Sequence, residues 1–244
     1  MIVEPVLGSM GMVPATREFL LALRSAPESH NIVLIFDEVI TFRLGPGGAQ
    51  ALHGRTPDLT CLGKIIGGGL PIGAVGGRRE FMSLFSPERE NPVMHASTFS
   101  GNALTMAAGL AAMTAYDVQA ADRINQLGDR LRAGFNQAFL QSGIRGQAAG
   151  AGSLTNLHLT DRPLASARDN IDGLADAGHI GRLLHLGMLR RGVMSASRLM
   201  YCVSTAMTEA DIDTAIGALN ESLRELRPYI EAERPSLLTG GADA

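Results

Sequence analysis

The feature that most constrains this chain is a glycine-rich, apolar stretch from Leu59 to Gly77 in which Lys64 is the only charge. Lys64 is also the only lysine in the sequence. Its neighbours Leu62, Ile65 and Ile66 predict a poorly solvated amine, and loss of hydration lowers the pKa of an ammonium group. A neutral lysine amine is a nucleophile that can form a Schiff base. Because a lysine is more often a hydrated surface charge, local chemistry alone leaves both interpretations open.

A second candidate, Asp37, directly follows the apolar run Ile32–Phe36. A continuous apolar run of this kind is typical of a parallel strand that is covered on both faces. Asp37 is therefore predicted at the carboxyl end of a strand, where open α/β sheets bind their ligands. The glycines near Lys64 would let the backbone pass close to a flat ligand, because they have no Cβ.

The composition limits the partners. The 244 residues are 45% hydrophobic and 18% charged, with a formal net charge of −3, and this balance argues against nucleic acid. No membrane partner is expected, because Lys64, the following glycines and Pro71 interrupt the apolar stretch. We find no metal-ligand cluster and no signal peptide. Two cysteines, Cys61 and Cys202, make no disulfide framework, so a reducing, cytoplasmic location is expected.

Three motifs follow one another along the chain. They are Phe36-Asp37-Glu38-Val39, Pro57-Asp58-Leu59-Thr60-Cys61-Leu62-Gly63-Lys64, and Thr98-Phe99-Ser100-Gly101-Asn102. In order and spacing they resemble the class III aminotransferases, pyridoxal 5'-phosphate (PLP) enzymes of fold type I, and the resemblance extends from about Ile2 to Leu226. It implies an α/β fold, in which a PLP-binding large domain with a mostly parallel sheet precedes a small C-terminal α+β domain.

The resemblance also implies roles for five residues around the cofactor. Lys64 would carry PLP as a Schiff base and act as general base. Asp37 would pair with the pyridine nitrogen and keep it protonated through a charge-assisted hydrogen bond. Val39 would pack against the ring face. Thr98, with Ser97 beside it, would reach the phosphate of the PLP bound to a partner subunit, which implies a homodimer.

The implied reaction moves an amino group between an amine or amino acid donor and a keto acid. Arg198 would hold a substrate carboxylate, because the planar fork of arginine suits a bidentate contact. Arg43 and Glu4 are further substrate-binding candidates, although a structural role for Arg43 is weighed beside this one.

Alternatives remain open. The segments Gly192–Arg198 and Leu84–Pro87 are more similar to aminotransferases of β-amino acids. The runs Gly47–Gln50 and Thr60–Pro71 are more similar to glutamate-semialdehyde aminomutase. The resemblance begins part-way through the family pattern, after the N-terminal segment whose loop usually holds the phosphate. A truncated, non-catalytic homologue is therefore the third interpretation.

The composition changes near Tyr116. This change predicts a domain boundary between an N-terminally incomplete large domain (1–118) and a small domain (119–228). A partly disordered tail (229–244) should follow the last helix, predicted at Asp211–Leu226.

Several local patterns carry expectations of their own. The Ala/Met/Leu-rich helix predicted at Asn102–Tyr116 should be well buried. His158 lies on the polar side of an alternating strand, so its ring should be solvated. Gly143–Gly152 should form a glycine-rich bend, and Ala175–Arg191 one continuous helix.

Overall fold

A computed structural model describes residues 1–240, apart from the side chains of residues 26–29. Contacts divide the chain into two units. The first comprises Met1–Pro5 and Ala15–Ala121, and the second comprises Val6–Pro14 and the chain from Asp122 onward. The short segment Val6–Pro14 therefore groups with the C-terminal residues, whereas the predicted domain 1–118 included it in the large domain.

The strands are short. They are β1 (Ile2–Val3), β2 (Val6–Leu7), β3 (Val13–Pro14), β4 (Ile35–Asp37), β5 (Leu59–Gly63), β6 (Gly73–Gly77), β7 (Gln147–Ala151), β8 (Leu154–His158) and β9 (Met200–Cys202). The α-helices are α1 (Arg17–His30), α2 (Gly48–Leu52), α3 (Arg79–Met82), α4 (Ala103–Ala115), α5 (Val118–Ser142), α6 (Ala167–Ala177), α7 (Ile180–Arg190) and α8 (Glu209–Glu233). Short 3₁₀ helices cover Thr41–Leu44, Lys64–Gly67, Ser83–Phe85 and Pro235–Leu237.

The first unit is built on a four-stranded sheet of order β1-β4-β5-β6. Strands β1, β4 and β5 are parallel, and β6 runs antiparallel to β5. The predicted mostly parallel sheet is thus confirmed. Strand β1 is an edge strand, and Ile2 on it is 61% exposed.

The core of the first unit decides which face of the sheet carries the candidate acid. Phe36 on β4 is fully buried and packs with Leu20 and Leu23 of α1 and with Leu34. Because successive side chains of a strand point to opposite faces, Asp37 lies on the face away from α1.

A buried carboxylate joins three parts of this unit. Asp58 is only 3% exposed, and its Oδ2 accepts a hydrogen bond from the Leu34 N–H at 2.7 Å. Its Oδ1 lies 3.3 Å from Arg24 Nη1 and 3.0 Å from Arg78 Nη1. Burial by itself raises the pKa of this carboxyl group, but the Leu34 hydrogen bond and the two guanidinium groups hold the pKa below its ordinary value.

The second unit contains the antiparallel sheet β7-β8-β9 and the antiparallel pair β2-β3. Helix α5 contributes one apolar stripe, and its members are buried: Ile124, Leu127, Leu131, Phe135 and Phe139. A capping box begins α8, in which the Thr208 N–H donates a 2.7 Å hydrogen bond to Asp211 Oδ2.

His158 is buried, so the prediction of a solvated ring is wrong. All five residues of β8 are buried, because both faces of this strand are covered. The His158 Nε2 lies 2.8 Å from the carbonyl oxygen of Gly11, in the segment between β2 and β3. Burial lowers the pKa of His158, while the hydrogen bonds to Gly11 and Asn170 act in the opposite direction.

Three other expectations for the second unit are corrected. The predicted bend at 143–152 contains strand β7, which pairs with β8. The single helix predicted at 175–191 is two helices, α6 and α7, interrupted at Gly178 with a left-handed φ of +56°. Helix α8 continues through Pro228 to Glu233, where Ile230 is fully buried, so the predicted tail is helical at its start; residues 241–244 lie outside the described residues.

Within the described residues, no helix has the length and apolar character needed to cross a membrane. The same part of the chain holds no group of three or more His, Cys, Asp or Glu side chains that could bind a metal ion.

Candidate functional site

Three parallel strands of the first unit end at the same edge of the sheet. Strand β1 is followed by Glu4, β4 ends with Asp37, and β5 is followed by Lys64. The register pairs Val3 with Phe36 and Asp37 with Cys61, so these strand ends are neighbours. The structure therefore brings Glu4, Asp37 and Lys64 to the carboxyl edge of the sheet.

Lys64 has an unusual backbone. Its φ is +49°, in the left-handed region that non-glycine residues rarely adopt, and it begins the 3₁₀ helix directly after β5. Such a conformation costs about 1–3 kcal/mol and is characteristic of functional sites. Gly63 before it is extended and Gly68 after it is left-handed, so the chain reverses sharply around the lysine.

The Lys64 side chain is exposed in the described chain, so the prediction of a poorly solvated amine is wrong here. Ile65 and Ile66 are themselves only partly buried, and Gly68 and Gly69 have no side chains with which to cover the amine.

Val39 links the candidate acid to the turn that carries the lysine. The Val39 N–H donates a 3.0 Å hydrogen bond to Asp37 Oδ1. A Cβ placed on Gly63 would lie 3.3 Å from Val39 Cγ1, so the valine side chain lies against the residue before Lys64. Asp37, Val39 and Lys64 are thus parts of one contiguous surface.

The Lys64 turn is seated on helix α4 through glycines. A Cβ on Gly68 would lie 2.3 Å from the Ala108 carbonyl oxygen, and a Cβ on Gly109 would lie 2.3 Å from the Ile66 carbonyl oxygen. No larger residue fits at either position without movement of the backbone. The sequence motif is therefore glycine-rich here partly because two backbone segments touch.

The burial predicted for α4 is wrong. Within this helix only Thr105 and Gly109 are buried, whereas Leu104 is 69% and Leu110 is 71% exposed. The helix begins at Asn102, whose Oδ1 accepts hydrogen bonds from the N–H groups of Leu104 and Thr105, both at 3.1 Å. The final asparagine of the third sequence motif is thus a helix cap.

Glu38 is a site residue to which the sequence assigned no role. It is fully buried, and its Oε2 accepts hydrogen bonds from the Thr41 hydroxyl at 2.5 Å and the Ala49 N–H at 2.9 Å. Its Oε1 accepts a hydrogen bond from the Gln50 N–H at 2.7 Å. The sequence did offer a signal, because Glu38 is a second acid immediately after the strand. The Glu38 side chain holds α2 beside the end of β4.

Arg43 lies within this same region. It belongs to the 3₁₀ helix Thr41–Leu44, which is followed by α2. The Arg43 carbonyl oxygen accepts a 2.5 Å hydrogen bond from the Tyr116 hydroxyl. Burial raises the pKa of Tyr116, and the nearby Arg43 charge opposes that shift. Arg43 thus has a structural contact through its backbone.

Cys61 lies beside Asp37 in the register of the sheet and is half-buried. Burial and the neighbouring Asp37 carboxylate both raise the pKa of its thiol. Cys61 is therefore held as a neutral thiol next to the candidate acid.

The remaining predicted residues are exposed. Ser97 and Thr98 lie in the loop before α4, where the Ser97 N–H donates to Ser100 Oγ at 3.1 Å. Arg198 is in the second unit, in the segment before β9, with its Nη2 3.5 Å from Met200 Sδ.

The groups at the carboxyl edge suit PLP. They comprise the Lys64 primary amine for an aldehyde, the Asp37 carboxylate for a basic ring nitrogen, and the Val39 methyl groups for a ring face. Oδ1 of Asp37 is engaged by Val39, which leaves Oδ2 for a second donor. The residues present fit this cofactor.

The fold and this edge define an α/β protein with a lysine and a carboxylate at the ligand-binding end of a mostly parallel sheet. The model of the class-III aminotransferases matches residues 1–223, and the chain belongs to that family.

Similar proteins span both of the branches considered from the sequence. The chain is 39% identical over 219 residues to a beta-phenylalanine transaminase from Variovorax paradoxus, covering 89% of this chain and 50% of the relative. It is 41% identical over 232 residues to a glutamate-1-semialdehyde 2,1-aminomutase from Roseiflexus castenholzii, covering 92% of this chain and 52% of the relative. A solved transaminase with PLP bound is 33% identical, with a TM-score of 0.83 over 93% of this chain and 52% of that one. The chain thus spans about half the length of the relatives it matches.

Proposed function

We propose that this chain forms the catalytic-lysine part of a PLP-dependent aminotransferase. The observation that carries the proposal is the left-handed Lys64 directly after β5, at the same sheet edge as Asp37. A strained lysine beside a strand-end carboxylate has no evident structural use, because Lys64 is exposed and forms no ion pair within the described residues. Family membership and the similarity to a transaminase with PLP bound support the same cofactor.

Lys64, Asp37 and Val39 have different roles in this proposal. Bound PLP supplies an aldehyde for the amino group and a ring that stabilises negative charge on the substrate. Lys64 Nζ holds the cofactor covalently and, once released, takes a proton from the carbon that bears the amino group. Such general base catalysis is typically worth about 10²–10⁴-fold. Asp37 keeps the ring nitrogen protonated, and Val39 supports the ring face.

For the substrate we propose an amine or amino acid donor, with a β-amino acid as the first choice, and a keto acid acceptor. Arg198 holds the substrate carboxylate in this proposal, supported by its exposure and by the fork geometry of arginine. Glu4, directly after β1, lies at the candidate edge, and Arg43 is proposed beside it either for the substrate or for a structural role. Glutamate-semialdehyde isomerisation remains the alternative, because relatives of both kinds are similarly identical to this chain.

We further propose a homodimer in a reducing, cytoplasmic setting. The loop with Ser97 and Thr98 also exposes Met94 (83%) and Phe99 (78%), which is consistent with an interface that takes Thr98 to a partner's phosphate. Cys61 and Cys202 form no disulfide within residues 1–240. Light scattering at micromolar concentration should give twice the chain mass, and a monomer that binds PLP tightly would contradict the role of Thr98.

The test of the cofactor role uses the single lysine. After incubation with PLP and reduction with borohydride, the phosphopyridoxyl label should lie on the peptide that contains Lys64. Lys64→Ala should lose both the label and amino-group transfer while keeping its circular dichroism spectrum. A reduced, labelled protein without the label on that peptide would refute the proposal.

The test of the reaction compares two assays on the same preparation. Amino transfer from β-phenylalanine to pyruvate or 2-oxoglutarate should exceed isomerisation of glutamate 1-semialdehyde. The opposite order would select the aminomutase. A chain that carries the label on Lys64 and catalyses neither reaction would be a non-catalytic homologue.

A further inference from the structure

We propose that the second unit carries a binding site for a phosphate group. The site is a cavity of about 220 Å³, here called the arginine cleft, and three of its described lining residues are arginines: Arg145, Arg162 and Arg234. All the residues that line it belong to the second unit. The proposal concerns the binding of a small molecule and does not depend on PLP or on amino transfer.

The arginine cleft has a packed floor beneath a charged rim. Leu159 and Leu237, which line it, are both buried. The side-chain amide of Gln147 donates hydrogen bonds to the carbonyl oxygens of Thr160 at 3.0 Å and Arg162 at 2.7 Å. The main chain that carries the rim is therefore held in place before any ligand binds.

The rim carries more positive than negative charge. Nη1 of Arg145 lies 3.3 Å from Asp161 Oδ2, and Nη2 of Arg162 lies 3.2 Å from Asp176 Oδ2. Arg234 forms no ion pair with any described residue. Among the described lining residues, three guanidinium groups thus face two carboxylates, which leaves one positive charge in excess. This excess is local, because the whole chain has a formal net charge of −3.

The two ion pairs leave guanidinium donors for another acceptor. An arginine has five N–H donors, and each ion pair joins one nitrogen to one carboxylate oxygen. The Nε of Arg145 also donates to the Leu238 carbonyl oxygen at 3.2 Å, which fixes the orientation of that guanidinium group. Among the described contacts, Nη2 of Arg145 and Nη1 of Arg162 therefore stay available to a ligand.

Gly178 makes room for the third arginine. A Cβ on Gly178 would lie 2.7 Å from Arg234 Nη2 and 3.3 Å from its Cζ, so the guanidinium group rests on the main chain between α6 and α7. Confining a long arginine side chain costs conformational entropy. Since no described carboxylate repays that cost, the seated guanidinium group indicates a contact with a ligand.

The arrangement of the donors favours phosphate over a carboxylate. Arg145 precedes β7, Arg162 follows β8, and Arg234 follows α8, with the exposed hydroxyl of Ser236 two residues further on. Guanidinium groups bind both kinds of anion through paired hydrogen bonds. A carboxylate offers only two oxygens in one plane, whereas a phosphate group offers three acceptor oxygens that point in different directions. Phosphate can therefore accept from donors on several sides of the cleft.

The experiment titrates the complete chain with potassium phosphate at constant ionic strength and follows the amide signals by NMR. We expect saturable shifts at residues 159–162 and 234–237, with a Kd of about 1 mM or below. Arg234→Gln should raise that Kd about 10-fold or more, because one charge-assisted contact is lost. Arg162→Gln should have a similar effect, and its 68% exposed side chain can be replaced without disturbing the fold.

The matched control is Arg168→Gln. Arg168 is exposed on α6 and does not line the arginine cleft, so its replacement removes the same charge and should leave the Kd unchanged. A second titration uses glycerol 3-phosphate. Tighter binding than that of inorganic phosphate would assign the site to a phosphate monoester, weaker binding would assign it to free phosphate, and both results support the proposal.

Three results would overturn the proposal. They are the absence of saturable shifts at the arginine cleft, an equal loss of affinity in Arg168→Gln and Arg234→Gln, and binding of succinate as tight as that of phosphate. Lys64→Ala should bind phosphate at the cleft as the parent does. Failure of the aminotransferase proposal would therefore leave this result unchanged.

Discussion

Replacing Glu38 with glutamine perturbs the buried carboxylate that organises the loops beside the candidate site. The single amide oxygen of glutamine can accept the two hydrogen bonds that Oε2 accepts in the parent, from the Thr41 hydroxyl and the Ala49 N–H. The NH₂ group then faces the Gln50 N–H, which loses its acceptor. The substitution keeps the size of the side chain, so the effect isolates hydrogen bonding.

The magnitude follows from these contacts. One buried donor without an acceptor costs about 1–3 kcal/mol. The two remaining hydrogen bonds lose their charge-assisted character, which we take as about 1 kcal/mol in total. The free energy of unfolding of Glu38→Gln should therefore fall by about 2–4 kcal/mol. Thr41→Val should lower the free energy of unfolding less in the Glu38→Gln background than in the parent, because residues 38 and 41 share one hydrogen bond.

Urea unfolding of the whole chain and amide hydrogen exchange provide the assay. The Ala49 and Gln50 amides should exchange about 30- to 1000-fold faster, because each 1.4 kcal/mol is a factor of ten. Glu80→Gln is the control, since the Glu80 side chain is 55% exposed and its removal should change stability by less than about 0.5 kcal/mol. An unchanged midpoint and unchanged exchange in Glu38→Gln would refute the reasoning.

Three further predictions concern charged groups. Asp37→Asn should reduce amino transfer by about 10²–10⁴-fold with little change in the unfolding midpoint; near-normal turnover would make Asp37 an ordinary strand-end carboxylate. Because the pKa of Asp58 is held below its ordinary value of 3.8, it stabilises the fold above that pH, and this stability is lost as the pH falls through the lowered pKa. Asp58→Asn should therefore flatten the fall in stability at pH values below 3.8, and an unchanged acid unfolding profile would contradict the stabilising role of the Asp58 contacts. Burial lowers the pKa of His158, so the unfolded chain takes up its proton first and stability should decrease as the pH falls below the ordinary value of 6.5. His158→Gln should remove that slope whereas His95→Gln at an exposed position should not, and equal slopes in both would exclude His158 as the source.

The sequence predicted the elements that depend on local pattern. The apolar run before Asp37 forms β4, and the stretch before Lys64 forms β5, so both residues emerge where parallel strands end. The roles of the glycines were predicted only in part, because their contacts with α4 join segments about forty residues apart. Close contacts between two main-chain segments leave no periodic signal in the sequence.

Other features depended on tertiary context. His158 lies on an alternating strand whose second face is covered, so alternation alone gave the wrong burial. Helix α4 has the composition of a buried helix but is exposed in this chain, because composition reports what a helix prefers and not what is present to cover it. Glu38 was assigned no role because its three donors are fixed by the path of the following loop.

The glycine contacts between the Lys64 turn and α4 also determine how movement passes through this unit. Most packed surfaces in a protein absorb small displacements by rotation of side chains, but at Gly68 and Gly109 one main chain rests on another with no rotatable bond between them. The two segments therefore behave as one stiff body. A displacement of α4 by a fraction of an ångström is therefore passed directly to the main chain of the Lys64 turn.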